Sequence, residues 1–317
     1  MKIVILDKTA MGADTPFELL DSLGEVVSYD STAPDEIMDH VGDADVIVLN
    51  KVKILEETIE QAKNLKLICV FATGFDNIDI SAARRCGVAV CNVPGYSTDS
   101  VVMFTVSTVL ALATHLKEYS GYVSSGKYSA SSTANKITPT FHEIRGLTWG
   151  IVGCGSIGTA VLKVAEALGA RVIVNKRTPS DAYKCVDIDT LCKESDIITL
   201  HCPLNDGTRN LINSERISLM KEGVILVNEA RGAVVNEADV AKALLDKKIG
   251  AFGCDVYSSE PFPKSHPYYE IKDFENVILT PHAAWGAYEA RERCMKIICS
   301  NITSFVAGKF LNRVDIL

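Results

Sequence analysis

The sequence predicts an α/β protein of two doubly wound, parallel-sheet domains of the Rossmann or flavodoxin kind. Three observations carry this. Short β-rich apolar runs recur at roughly twenty-residue spacing and alternate with segments of helical period, the signature of βαβ units. The series breaks once, at a Pro/Gly/Ser stretch followed by a long apolar segment, and then begins again. The second series opens on "GIVGCGSIG", a glycine pattern that turns a strand into a helix.

The elements follow in order. "KIVILD", "EVVSYD", "ADVIVLN", "LKLICVFA" and "VAVCNV" read as the first five strands, with helical segments such as "TPFELLDSL" and "PDEIMDHV" between them. The spacing reflects βαβ geometry, and no true internal repeat is present. "NVPGYSTDS" ends the series, and Ser97, Thr98 or Asp99 can cap the apolar helix that runs to about His115. "GYVSSGKYSASSTANKITPT" is polar and Gly/Ser-rich and reads as a long loop or crossover. "LTWGIVGCGSIG" starts the second series, continued by "RVIVNK", "DIITLHC", "VILVNEA", "IGAFGCDV" and "NVILTPH". A last helical segment runs from about Trp285 to Val306.

The chain has 317 residues, enough for two domains, and is 47% apolar, so sizeable cores can form. Its formal charge is −8, and the local pair Lys176–Arg177 is too small to track a phosphate backbone, which argues against a nucleic-acid role. No apolar run approaches the ~18 residues that span a bilayer. The start, "MKIVILDKTAMG", lacks a cleavable signal pattern and reads as a first strand. Ten cysteines occur without a C-x-x-C pair, mostly in apolar runs. Reduced, buried thiols in a cytoplasmic protein are expected, with no metal site and no membrane partner.

In "GIVGCGSIGTAVLKVAEALGA" a strand leads to Gly153-x-Gly155-x-x-Gly158 and an amphipathic helix. Gly153 permits the tight turn, Gly155 lets a pyrophosphate approach the backbone, and Gly158 lets helix and strand pack closely. The amides of Ser156 and Ile157 open the helix and can hold phosphate oxygens. Strand, motif, helix and a second strand at the right distance together indicate a dinucleotide site. That second strand, "RVIVNKR", ends on Asn175, Lys176 and Arg177, where an acid usually holds the adenosine ribose. Losing the acid removes repulsion of a 2′-phosphate, and two cations can pair with one, so the expected cofactor is NADP(H) or NAD(H), leaning to NADP(H).

Three later stretches carry chemistry. "LVNEARGAVVN" places Arg231 just past a strand, "GCDVYSSEPF" places Glu260 in a turn after the next, and "NVILTPHAAW" places His282 after the next again. All three belong at the C-terminal edge of one parallel sheet, where such folds bind ligands. Together they would suit a 2-oxo acid, with Arg expected to grip the carboxylate and polarise the ketone. His donates the proton as hydride arrives, and Glu orients the imidazole.

The set "GCGSIG", "HCPLNDGTRNLIN", "VNEARG", "CDVYSSEP" and "TPHAAW" resembles the D-isomer-specific 2-hydroxyacid dehydrogenase family over essentially the whole chain. "FATGFDNID" and "NVPGYSTDS" resemble its glycerate dehydrogenase, or hydroxypyruvate reductase, branch. The resemblance implies Arg231 as substrate binder, His282 as acid/base and Glu260 as its partner. Asp255 would hold the nicotinamide carboxamide. His201, Cys202, Pro203 and Thr208 would line the cofactor, with Glu229, Ala230 and His282 beside it. Thr73 and Gly74 would offer N–H groups to the substrate carboxylate, Asn50 would border the pocket with Lys51 and Phe75, and Trp285 would close one side. It implies a substrate domain of residues 1–98 plus 285–317, a dinucleotide-binding domain of residues 99–284, a cleft between them and a homodimer paired through the dinucleotide-binding domains and the long loop at 121–145.

Three positions depart from the family pattern: Asn175 for the acid, Met103 where relatives mostly carry Glu or Gln, and Glu229 for a small or hydroxyl residue. The expected activity is reduction of a small 2-oxo acid to the D-2-hydroxy acid, hydroxypyruvate or glyoxylate first. One alternative is a D-2-hydroxyacid dehydrogenase for larger acids such as phenylpyruvate or branched-chain oxo acids. Another is a non-catalytic NAD(H)-sensing protein like the corepressors of this fold.

Overall fold

The computed structural model describes residues 1–316. The chain forms two compact units, one of Met1–Ser97 with Gly286–Leu317 and one of Thr98–Trp285.

The first unit is built on five parallel strands: β1 (Lys2–Ile5), β2 (Glu25–Ser28), β3 (Val46–Leu49), β4 (Leu67–Val70) and β5 (Ala89–Cys91). They lie in the order β2-β1-β3-β4-β5. β3 and β4 are buried at every position, because a parallel sheet is covered on both faces and its central strands are apolar throughout. Ile47, Leu49, Ile68, Val70, Ala82 and Ala83 pack into one core. The helix Tyr288–Val306 also belongs to this unit; it buries Cys294, Met295, Ile298 and Ile302, and its Asn301 donates to the Asn92 carbonyl at 3.0 Å. "TPFELLDSL" forms only a short 3-10 turn, Phe17–Leu20, where the helical period predicts more. Pro16 lies at its start and the chain must turn through Leu23 to enter β2.

The second unit has six parallel strands: β6 (Thr148–Val152), β7 (Arg171–Asn175), β8 (Ile197–Leu200), β9 (Val224–Asn228), β10 (Ile249–Cys254) and β11 (Val277–Leu279). Their order is β11-β10-β9-β8-β6-β7, so the winding direction reverses between β6 and β8. Trp149 is fully buried on β6 and satisfies its indole N–H on Thr199 Oγ1 of β8 at 3.1 Å. The apolar segment after residue 97 forms the helix Thr98–Ala113, which buries Val101, Val109 and Leu112. His115 then adopts a left-handed φ of 51° and a second helix, Leu116–Ser124, follows. Helix therefore replaces loop over the first residues of "GYVSSGKYSASS", and no residue of that helix is buried. Its Ser120, Gly121 and Ser124 have the composition of a loop, which is how the segment reads in sequence.

Both sheets are parallel, so both domains have the expected doubly wound α/β fold. No single helix among the described residues is long and apolar enough to cross a membrane.

Candidate active site

The reversal between β6 and β8 leaves a crevice at the carboxyl ends of those strands, the usual ligand position in such sheets. The glycine motif lies there. Gly153 has φ 86°, and its N–H donates to the Asn175 carbonyl at 2.8 Å. A Cβ on Gly153 would lie 2.6 Å from the Cys202 nitrogen, and one on Gly158 would lie 2.1 Å from the Gly153 carbonyl oxygen. Internal packing therefore accounts for both glycines. It does not account for Gly155, whose Cβ would meet nothing within 4 Å. Gly155 is also the N-cap of the helix Ser156–Ala167, which has no side-chain cap and no acid in its first turn. The helices Ile80–Cys86, Ile188–Glu194, Ser214–Leu219 and Glu237–Leu245 instead use the side chains of Asp79, Asp187, Asn213 and Asn236. A bare, uncapped amide cluster fits the pyrophosphate of a dinucleotide.

At the end of β7 the Asn175 amide donates to the Val186 carbonyl at 3.0 Å, which ties the strand end to the following loop. Lys176 Nζ lies 6.0 Å from the Tyr183 ring centre, and Arg177 is exposed. At the end of β8, His201 has no hydrogen-bond partner among the described residues on either ring nitrogen, and burial pushes its imidazole down to about 4, so the ring is neutral. Burial also pushes the Cys202 thiol up to about 11. Thr208 Oγ1 donates to the Pro203 carbonyl at 2.6 Å and accepts from Asn205 N–H, so it shapes the loop at 203–208.

The strand ends β9, β10 and β11 carry the remaining groups. Asn228, fully buried, brackets the turn after β9: its Oδ1 accepts from Ala230 N–H at 3.1 Å and its Nδ2 donates to the Arg231 carbonyl at 3.0 Å. Arg231 donates to the Ala230 carbonyl through Nη1 at 2.9 Å. Beyond β10, Asp255 accepts from Thr280 Oγ1 (2.6 Å), Ala283 N–H (2.8 Å) and Ala284 N–H (2.9 Å). It thus clasps the turn on either side of His282, which holds a left-handed φ of 54°. For a non-glycine residue that backbone is strained and persists only where neighbours enforce it. His282 Nδ1 lies 2.7 Å from Glu260 Oε2, with the two side chains 25% and 27% exposed. The other oxygen of Glu260 accepts from Tyr257 N–H at 3.0 Å. Tyr257 in turn donates its hydroxyl to the Thr280 carbonyl at 2.8 Å. A carboxylate on Nδ1 leaves Nε2 as the imidazole's outward proton carrier.

Glu229, one residue past β9, is 8% exposed and neither carboxyl oxygen has a hydrogen-bond partner among the described residues. Burial, with the Asp255 charge adding to it, pushes the carboxyl up to about 9, so it is protonated at neutral pH.

In the first unit, Asn50 is buried after β3, with its Nδ2 3.4 Å from the Phe71 carbonyl. Asp7 accepts the N–H groups of Asn50 and Val52 at 2.9 and 3.3 Å, and that of Lys51, fixing the turn. Burial pushes the Asp7 carboxyl up against those bonds. Thr73 donates Oγ1 to the Val93 carbonyl at 2.8 Å and, with Gly74, lies in the loop after β4. Trp285 is half-buried at the end of the second unit. Met103 is exposed on the helix Thr98–Ala113.

Sequence reasoning missed Asn228, Tyr257 and Asp7. Their work is bonding of single side chains to main-chain atoms of turns, near for Asn228 and distant in sequence for Asp7 and Tyr257, which leaves no period. The available signal was a polar residue at or just past the end of an apolar strand, as in "LVNEARG" and "VILDKT".

Residues 106–284 match the model of the D-isomer-specific 2-hydroxyacid dehydrogenase NAD-binding domain. Over 99% of this chain and 100% of the relative, the chain is 35% identical to a hydroxypyruvate reductase of Blautia hydrogenotrophica. It is 36% identical to a glycerate dehydrogenase of Methylorubrum extorquens over 99% of each. Its fold superposes with a TM-score of 0.88 on the crystal structure of a D-lactate dehydrogenase from Aquifex aeolicus complexed with NAD and lactic acid, at 29% identity over 99% of each chain. The chain therefore belongs to the D-isomer-specific 2-hydroxyacid dehydrogenases, a family of oxidoreductases that use a nicotinamide dinucleotide.

Proposed function

We propose that the chain reduces a small 2-oxo acid to the D-2-hydroxy acid, with hydroxypyruvate as first substrate and glyoxylate as second. The observation that carries this reading is the 2.7 Å contact between His282 and Glu260. Arg231 stands at the end of a neighbouring strand of the same sheet. The names of the most similar relatives support the choice of substrate.

The bound nicotinamide supplies hydride. The chain's residues do the rest. Arg231 pairs its guanidinium with the substrate carboxylate and draws charge towards the carbonyl oxygen. His282 gives its Nε2 proton to that oxygen and recovers a proton from water. Glu260 keeps Nδ1–H engaged, which fixes the ring's orientation and stabilises the imidazolium. Asn50, Thr73, Gly74 and Trp285 contribute to substrate binding. The unit of residues 1–98 and 285–317 serves as substrate domain, and residues 99–284 hold the dinucleotide.

Gly153, Gly155, Ser156, Ile157 and Gly158 hold the pyrophosphate. His201, Cys202, Pro203, Thr208, Glu229, Ala230 and Asp255 line the rest of the cofactor. Asn175, Lys176 and Arg177 receive the adenosine ribose and tilt the choice to NADP(H), because two cations stand where no carboxylate opposes a 2′-phosphate. The enzyme works in the cytoplasm as a homodimer. Exposed Leu116, Val123, Tyr128, Ile137 and Phe141, in and after the helix Leu116–Ser124, support that association.

The test is steady-state kcat/KM on the purified protein with hydroxypyruvate, glyoxylate, phenylpyruvate and a branched-chain oxo acid, each with NADPH and NADH. The proposal expects hydroxypyruvate to lead and NADPH to be favoured about tenfold, worth about 1.4 kcal/mol. Preference for the larger acids would overturn the substrate, and an equal or better rate with NADH would overturn the cofactor. Dinucleotide binding without turnover of any acid would favour a sensor.

A further inference from the structure

Behind the His282–Glu260 pair stands a second carboxylate–imidazole pair that the proposed chemistry leaves unused. Glu237, at the start of the helix Glu237–Leu245, meets His266 Nε2 at 2.9 Å. Their side chains are 9% and 5% exposed. The tautomer is fixed from the other side, because His266 Nδ1 accepts from Tyr268 N–H at 3.2 Å. Nε2 therefore carries the proton and donates it to the carboxylate. The ring is boxed by aromatics: stacked on Phe262 at 4.9 Å between centres, and edge-on to Tyr268 at 5.0 Å and Tyr257 at 6.1 Å.

Glu237 spends its remaining acceptor capacity on one residue. Its Oε1 accepts from Ser258 N–H at 2.8 Å, and its Oε2 accepts from Ser258 Oγ. Ser258 follows Tyr257, whose N–H holds Glu260, and Glu260 holds His282. A Cβ on Gly232 would lie 2.0 Å from the Tyr257 carbonyl carbon, so the residue after Arg231 packs against this same turn. The turn at 257–260 is thus held by Glu237 and packed against the chain just past Arg231. An amide at 237 cannot reproduce the grip: three donors converge on the carboxylate, and a glutamine would turn an NH2 group towards one of them.

We propose that Glu237 and His266 form a positioning pair that sets the turn at 257–260, and through it the orientation of Glu260 against His282. Neither residue is among those assigned above to substrate or cofactor. The pair acts on catalysis only through Glu260, and the proposal rests on the functional reading above.

The experiment compares wild type, Glu237→Gln, Glu237→Asp, Ser258→Ala, Glu260→Gln and the Glu237→Gln/Glu260→Gln double variant. Two readouts are taken: amide hydrogen exchange at Tyr257 in the free protein, and kcat and KM for hydroxypyruvate. Glu237→Gln is expected to speed Tyr257 exchange at least roughly tenfold and to lower kcat roughly 10- to 100-fold. KM and dinucleotide Kd should stay within about twofold. In the Glu260→Gln background the same change should cost less than about twofold, because its route to the imidazole is already cut. Glu237→Asp, which keeps the charge, should recover part of kcat. Ser258→Ala removes only one of the three donors and should show the same direction at smaller size, which preserves the test if Glu237→Gln does not fold. Equal losses in both backgrounds, an unchanged kcat, or an unchanged Tyr257 exchange rate would each overturn the pair's role. Exchange is read without substrate. A wild type that turns over no oxo acid would therefore sink the functional reading, while the exchange result would still decide the brace.

Discussion

Replacing Glu229 with glutamine tests the electrostatics of this site most directly. The Glu229 carboxyl is pushed from the ordinary 4.5 up to about 9 because it is buried with both oxygens unpartnered. Between those two values the folded chain holds a proton that the unfolded chain has released. The contribution to stability is complete below the lower value and is lost as pH rises towards the upper one. The slope is about 1.4 kcal/mol per pH unit, so about 3 kcal/mol disappears between pH 5 and pH 7. For a unit of this size that is a fall in Tm of roughly 6–12 °C. Glutamine has nearly the shape of the protonated acid and does not ionise. The assay is scanning calorimetry of wild type and Glu229→Gln without dinucleotide. The transition followed is the one that rises when dinucleotide is added. The Tm of wild type minus that of the variant should drop by that amount from pH 5 to pH 7. Parallel curves would refute the reasoning and mean that the carboxyl ionises against a partner the fold supplies.

The glycine turn offers a clean separation. Gly158→Ala should lower stability by more than about 2 kcal/mol through its contact with the Gly153 carbonyl. Gly155→Ala should leave Tm within about 2 °C yet weaken dinucleotide binding at least roughly tenfold in a fluorescence titration. Replacing Lys176 and Arg177 together with alanine should raise the KM for NADPH at least about tenfold and leave that for NADH within about twofold. His282→Gln should cost roughly 10²–10⁴ in kcat, and Glu260→Gln should cost less because the acid itself remains, with KM nearly unchanged in both.

The central strands were readable because each is a short, largely aliphatic run buried nearly throughout, as in β3, β4, β6 and β8. The positions of Arg231, Glu260 and His282 past their strands followed from that. What joins these residues was not readable. The His282 backbone is left-handed, and it is held there by Asp255 across 28 residues of sequence. Glu260 reaches the imidazole from a turn whose shape depends on Tyr257 N–H. Such bonds pair single side chains with distant main-chain atoms, and no hydrophobic period encodes them. Leu116–Ser124 hid for another reason: none of its residues is buried, and Ser120, Gly121 and Ser124 give its second half the composition of a loop. Glu229 was visible as an odd residue beside Arg231, but its protonation depends on burial that only the packed strand ends reveal.

The helix Tyr288–Val306 covers the first sheet but is encoded after the whole second unit. During translation the first unit therefore waits for about 190 further residues, on the order of 10–40 s at ordinary elongation rates. Over that interval the sheet face that will receive Cys294, Met295, Ile298 and Ile302 has no cover of its own. The second unit, contiguous in sequence, can finish first as it leaves the ribosome. Folding order is then expected to run opposite to synthesis order, and residues 1–97 of the nascent chain are the part that a chaperone would be needed to shield. A circular permutant that begins with the segment Gly286–Leu317 should shorten that exposure and lower the dependence of soluble yield on chaperones.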